Sequence, residues 1–322
     1  MDANTCRHGV AQPARRRRLQ EESLSSYCNA APMHACPRCV AGPLLSLLAC
    51  LGLSGAAASL QAPREPLTVM SFNIRYGTAN DGDNAWPKRR ALVFDVAREL
   101  DADVMGLQEA LDFQIDEILA AVPAYASIGV GRDDAAVTGE FSAILFRKNR
   151  FRVAESGTFW FSDTPAVAGS KSWGNDITRI CTWARLIDRN GRGFYIYNVH
   201  LDHESQPSRE RSTQLLRMRI ETRAYPRDPV VVTGDFNAGE RNPALATLSG
   251  LLVDSFRVVR PDEQPAGTFT AFEFGRIGGE KIDYVLVQPA TEVLHADIVR
   301  FSRSQRYPSD HFPVVARVRL PD

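Results

Sequence analysis

From Leu67 to the C-terminus the chain alternates short apolar, β-branched runs with polar loops and a few stretches of helical spacing. The runs 67–74, 103–108, 142–147, 181–187, 194–201, 229–234, 282–288 and 313–319 have the length and composition of strands. Helical spacing marks 87–100, where Leu92, Val96 and Leu100 recur at every fourth position, and then 112–121 and 208–222. Many strands bounded by turn residues, with few helices between them, predict a large mixed-sheet α/β or α+β domain. No internal repeat and no long low-complexity segment interrupts it.

The region before Leu67 has another character. Residues 40–58 form the only long uncharged apolar stretch, rich in Gly, Ala and Ser, with Arg38 before it and Ala56-Ala57-Ala58 at its end. This is the pattern of a signal peptide with a small-x-small cleavage site. Counted from Met1 the leader is too long, whereas counted from Met33 its proportions are ordinary. The expected organisation is therefore an N-terminal extension over 1–66, with its true start at Met33, and a catalytic domain over 67–322. The expected location is secreted or periplasmic. An alternative is a lipoprotein anchored through Cys50, because Leu47-Leu48-Ala49-Cys50 resembles a lipid-attachment box.

Composition supports this division. The chain of 322 residues has a formal net charge of zero, but residues 67–322 hold 31 basic and 34 acidic groups. A slightly acidic domain cannot rely on a broad basic surface for nucleic acid, which leaves room only for a small basic groove. Cys6, Cys28, Cys36, Cys39 and Cys50 precede the domain and only Cys181 lies inside it. A single thiol forms no internal disulfide, so the core alone must hold the fold. Cys36 and Cys39 have zinc or redox spacing but no partner ligands follow.

The informative polar residues sit where strand-like runs end. Ser71-Phe72-Asn73, Gly106-Leu107-Gln108-Glu109, Asn198-Val199-His200, Thr233-Gly234-Asp235-Phe236-Asn237 and Ser309-Asp310-His311 are far apart in sequence. One Asn after a strand is an ordinary turn former. Five such endings that share one sheet edge make a site, because layered α/β domains gather ligands at strand ends. Carboxylate and amide oxygens are hard ligands suited to magnesium or manganese. His200, Asp235 and His311 add acid–base groups and donors to developing negative charge. The chemistry implied is attack of water on a phosphoester, assisted by Mg2+ or Mn2+.

With these residues in view, the chain resembles the endonuclease/exonuclease/phosphatase, or deoxyribonuclease I-like, superfamily over nearly all of 67–322. Gly-Asp-Phe-Asn followed by Ser-Asp-His is the most specific pair of motifs, strengthened by Leu-Gln-Glu and the upstream Phe-Asn. The resemblance implies a four-layer sandwich of two mixed β-sheets packed face to face with flanking helices. It implies metal ligation by Asn73, Glu109 and Asp310. It implies phosphate contact by His200, water orientation or deprotonation by Asp235 with Asn237 beside it, and transition-state stabilisation by His311. Asp283, in Ile282-Asp283-Tyr284, would pair with His311, and Glu140 matches the spacing of the acid that pairs with the first histidine.

Weaker substrate-binding candidates are Arg89 near the start of the first helix, Asp202 directly after His200, and Arg211 on the 208–222 helix. Asn80-Asp81-Gly82-Asp83-Asn84 looks like a calcium loop but lacks its terminal Glu, and is expected to be a mobile loop before the helix. Trp160 and Trp173 flank a Gly/Ser-rich insertion, Phe161–Asn175, able to cover the site. The expected substrate is a phosphoester, a diester by first choice, drawn from sugar or inositol phosphates, phospholipid head groups or nucleic acid. The expected enzyme is a monomer with no obligate protein partner. The rivals are a secreted nuclease and a catalytically silent binding module on the same fold.

Overall fold

In the computed structural model, which describes residues 63–322, each run predicted as a strand is a strand. The signal-peptide stretch, Met33, the Cys36–Cys39 pair and Cys50 lie outside the described residues. The first sheet contains β1 (Leu67–Asn73), β2 (Val104–Ala110), β3 (Tyr125–Ile128), β4 (Phe141–Arg147), β11 (Glu292–Ile298) and β12 (Val314–Arg319), in the order β11-β12-β1-β2-β4-β3. The second contains β5 (Phe151–Trp160), β6 (Ile180–Asp188), β7 (Gly193–His200), β8 (Val230–Asp235), β9 (Val253–Asp254) and β10 (Asp283–Val287), in the order β5-β6-β7-β8-β10-β9. Each sheet is mixed: β1 runs parallel to β2 and β7 parallel to β8, while the remaining neighbours are antiparallel.

Among the described residues, five α-helices accompany the sheets: α1 (Trp86–Leu100), α2 (Asp112–Ala121), α3 (Gln206–Glu221), α4 (Pro243–Ala246) and α5 (Ser255–Val259). α3 starts two residues earlier than its periodicity suggests, because the Ser205 hydroxyl accepts the Ser208 N–H and caps the first turn. Among the described residues no helix is long and apolar enough to cross a membrane.

Three apolar clusters give the layers. Val69, Val104, Ile144, Leu186, Ile196, Val231, Val285 and Val314 belong to a core built from both sheets. Met70, Phe72, Met105 and Leu145 pack with Val93, Val96 and Ile115 of α1 and α2. Tyr197, Val232 and Tyr284 pack with Leu216 and Ile220 of α3. Alternation with period two sends neighbouring residues to opposite faces, so each central strand serves two clusters at once. The expected four-layer sandwich is what the chain forms.

The inner face changes character along the strands. On β1 it reads Leu67, Val69, Ser71, Asn73, and on β7 Phe194, Ile196, Asn198, His200. On β8 it reads Val231, Thr233, Asp235, and antiparallel β10 opens with Asp283 before Val285 and Val287. The sandwich is therefore apolar at one end and polar at the other.

Candidate active site

Strand register assembles the polar end. His200 lies beside Asp235 across the β7–β8 ladder and Asp283 beside Asp235 across β8–β10, while Asn73 pairs with Gln108 across β1–β2. All these residues except Gln108 and Asn73 belong to the second sheet; Asn73 reaches across to it. Its Nδ2 lies 3.0 Å from Asp235 Oδ2 and 3.0 Å from Glu109 Oε1. The backbone is forced at this edge. Glu109 lies within a register break in the β2–β4 ladder with φ of 59°, and Asn237 has φ of 46°, both in the left-handed region. That turn brings the Asn237 N–H to 2.9 Å from Asp235 Oδ1, and the Asn237 side chain donates to the Leu201 carbonyl at 3.0 Å.

Asp235 stands between two histidines, with its Oδ2 3.7 Å from His200 Nε2 and 3.8 Å from His311 Nε2. The histidines are tuned in opposite directions. His311 Nδ1 is 2.9 Å from Asp283 Oδ2. Burial opposes a charge on His311, but the carboxylates of Asp283, Asp235 and Asp310 outweigh it and hold its pKa well above the usual range. His200 is pushed well below that range by burial and by the guanidinium groups of Arg179 and Arg132. Arg179 Nη1 donates to His200 Nε2 at 3.1 Å, so Nε2 carries the lone pair and Nδ1 the proton. Burial and the nearby Asp283 charge raise Asp235 to about 7, partly countered by His311.

The expected Glu140–His200 pair is not formed as a hydrogen bond. Glu140 Oε2 is 3.9 Å from His200 Nδ1, and both Glu140 oxygens are taken by the Arg132 fork at 2.6 and 2.9 Å. A bidentate guanidinium outcompetes a neutral imidazole for a carboxylate. Arg179 is the partner that sequence reasoning missed. It is nearly buried and also contacts His203 Nδ1 at 2.9 Å and Asp202 Oδ2 at 3.4 Å. Asp202, itself buried, therefore orients Arg179 and caps the turn at Glu204 and Ser205. The Thr178-Arg179 step before β6 carried no motif, and only the fold shows what it meets.

Of the two other substrate candidates, Arg89 is withdrawn from any substrate and Arg211 stands on the surface. Arg89 is fully buried and its guanidinium binds the carbonyls of Ile74, Arg75, Asn84 and Pro308, so it staples the site's backbone together. Arg211 is exposed on α3, while Arg209 donates to the Asp202 carbonyl at 2.8 Å. The Asn80–Asn84 segment is no calcium loop: Asp81 binds Arg75 through both oxygens, and Asp83 binds Lys88.

Two groups of acids could hold a cation. Asp235, Asp283 and His311 place potential ligand atoms within 4.8 Å of one another. That trio is already joined by the Asp283–His311 hydrogen bond, so an ion there would displace a proton from a histidine that holds it firmly. Glu109 and Asp310 fit better. Asp310 is held above the usual carboxylate range by burial and by Glu109, a sign that positive charge is wanted. Both carboxylates offer hard oxygens, and their nearest guanidinium, Arg75, stays 3.9 and 3.8 Å away. Asn73 turns its amide nitrogen to Glu109 and Asp235, with its Oδ1 accepting the Arg75 N–H at 3.0 Å.

The comparisons agree with this geometry. The model of the Endonuclease/Exonuclease/phosphatase family matches residues 70–311. An endonuclease/exonuclease/phosphatase family protein from Bacteroides thetaiotaomicron is 32% identical with a TM-score of 0.75, covering 81% of this chain and 99% of that one. The mannosyl-6-phosphatase of the same species is 32% identical with a TM-score of 0.72, covering 78% of this chain and 99% of that one. An endonuclease/exonuclease/phosphatase from Bacteroides vulgatus is 31% identical with a TM-score of 0.74, covering 80% of this chain and all of its own. No curated protein matches the sequence.

Proposed function

This chain belongs to the endonuclease/exonuclease/phosphatase family of phosphoester hydrolases, and from that footing we propose that it cleaves its ester by water attack at Asp235, with Mg2+ or Mn2+ held by Glu109 and Asp310. The observation that carries the proposal is Asp235 Oδ2 standing within 4 Å of the Nε2 atoms of both His200 and His311.

A bound divalent ion supplies Lewis-acid polarisation of the phosphoryl oxygens. The protein's own groups do the rest. Asp235, ionised and oriented by Asn73 and the Asn237 N–H, accepts the proton of the attacking water. A carboxylate near 7 has enough basicity for that step at neutral pH. The water oxygen bonds to phosphorus as the ester P–O bond breaks. His311, kept protonated by Asp283, presents Nε2–H to the charge that gathers on the phosphoryl group. Asp283 fixes its tautomer and ring plane. His200, with its Nε2 engaged by Arg179, contributes shape and a neutral ring beside Asp235.

For the substrate we propose a sugar phosphate rather than the diester favoured by the sequence. The similarity to the Bacteroides mannosyl-6-phosphatase, over nearly all of that chain, supports it. The slightly acidic body fits a small substrate better than a nucleic acid. Export remains part of the proposal, with cleavage near Ala58, and N-terminal sequencing of exported protein tests it.

The functional test is release of phosphate from mannose 6-phosphate and other sugar phosphates, beside a chromogenic diester, with Mg2+ or Mn2+ and with chelator. Turnover should require the ion, and Glu109→Gln should recover part of its lost rate at raised Mn2+. Turnover indifferent to chelator would refute the metal assignment. Hydrolysis of the diester alone would refute the substrate, and no turnover of any compound would favour a silent binding module.

A further inference from the structure

Arg75 is the best-built cation near the site, and the reaction as described leaves it unused. It follows β1 with φ of 58°, a conformation that costs a side-chain-bearing residue energy unless its surroundings impose it. They do. Its carbonyl accepts Arg89 Nη2 at 2.8 Å and Gln114 Nε2 at 3.1 Å, and its N–H donates to Asn73 Oδ1 at 3.0 Å. The guanidinium lies 4.7 Å over the Tyr76 ring. Asp81 grips it through two hydrogen bonds, from Nε at 3.1 Å and Nη2 at 3.0 Å.

So held, the guanidinium sits between two carboxylates from different parts of the fold. Nη1 is 3.9 Å from Glu109 Oε2, and Nε is 3.8 Å from Asp310 Oδ2. Both distances are too long for hydrogen bonds and short enough for strong Coulomb attraction. The arginine side chain is long and flexible enough to close on either acid, and the Asp81 grip stops it short. A positive charge is thus kept near Glu109 and Asp310 without consuming their oxygens.

We propose that Arg75 is a resident counter-cation of the Glu109–Asp310 pair, parked by Asp81, whose field an incoming divalent ion must work against and whose guanidinium it displaces. The inference rests on the assignment of the metal to that pair. It also gives a physical role to two neighbouring segments: residues 73–77 supply the cation and residues 80–82 its latch. Before the ion binds, Arg75 offsets the repulsion between the two acids. Once it binds, the guanidinium draws back from the two acids while its hydrogen bonds to Asp81 keep its charge paired.

The two members of the latch must then act in opposite directions on ion affinity. Arg75→Gln removes the competing charge and should tighten Mn2+ binding about tenfold. Asp81→Asn frees Arg75 to close on Glu109 and Asp310 and should weaken it by about the same factor. A merely structural latch would make both variants weaker. The measurement is free Mn2+ by electron paramagnetic resonance, titrated into metal-stripped protein, with circular dichroism confirming that each variant is folded. Glu109→Gln is the control. If it weakens binding while Arg75→Gln fails to tighten it, this inference falls and the metal assignment stands. If Glu109→Gln leaves the affinity unchanged, the assignment falls and the inference with it. A second readout needs no variant: in the wild-type protein the assigned Arg75 Nε–H resonance should move as Mg2+ saturates, and a stationary resonance overturns the proposal.

Discussion

Gln108 and Asn198 meet across the two sheets: the Gln108 amide donates to Asn198 Oδ1 at 2.6 Å in the buried space between β2 and β7. Asn198 also donates to the carbonyls of Leu107 and Ala143, each at 2.8 Å, and accepts the Thr233 hydroxyl at 3.0 Å. One amide thus ties the sheet that carries Glu109 to the sheet that carries His200 and Asp235. Gly106 leaves room for it, since a Cβ there would stand 2.0 Å from Thr233 Oγ1 and 2.6 Å from Asn198 Oδ1.

Removing that amide should cost stability out of proportion to its size. Asn198→Ala takes a donor from two buried carbonyls and leaves the Gln108 amide only its longer bonds to Ser71 Oγ and the Gly106 carbonyl, for a loss of about 3 kcal/mol. Gly106→Ala forces the network apart and should cost about 1–3 kcal/mol. Urea denaturation checks both, and a loss under about 1 kcal/mol for Asn198→Ala would show that the network is not needed to join the sheets.

His311→Ala should lower turnover by about two to four orders of magnitude while substrate binding survives, because its donor acts mainly as charge develops. Asp235→Asn should be at least as damaging. Steady-state kinetics on folded variants decide the matter: near-wild-type turnover from either would remove that residue from the reaction.

Asp235 also predicts a pH-dependent stability difference in metal-free protein. Its folded pKa, about 7, lies above the ordinary carboxylate value of 3.8. Through that window the folded state keeps a proton that the unfolded chain has released, so its contribution to stability is lost as pH rises. Asp235→Asn has no such loss. The melting temperature of the variant minus that of the parent, in chelator, should therefore grow from about pH 4 to about pH 8. A constant difference would contradict it.

Arg179 should keep His200 neutral. In Arg179→Gln the His200 pKa should rise, read from its ring-proton chemical shifts, and turnover should fall on the order of ten- to a hundredfold as the ring loses its fixed tautomer. Arg179→Lys keeps a charge but loses the fork and should recover the pKa better than the rate. An unmoved His200 titration in both would leave burial alone as its cause.

The sequence by itself determined the interior of this protein. All eight predicted strands are present, and the four that were missed, β3, β5, β9 and β11, are the four sheet edges. Edge strands are half solvated, so β5 and β11 expose polar positions along much of their length and carry no strong apolar run. The strand-end motifs likewise marked Asn73, Glu109, His200, Asp235 and His311, because a buried polar residue after an apolar run has few explanations, while Asp283 was marked only by the family resemblance. Only the tertiary structure decided how those residues are partnered. Arginine is common on surfaces, and nothing local distinguishes buried Arg89, which staples the backbone, from Arg179, which sets a histidine, or Arg75, which faces two acids. Their roles come from residues that register and loop geometry bring to them. That is why Glu140 went to Arg132 rather than His200: the competition is between side chains far apart in sequence, and distance in space settles it.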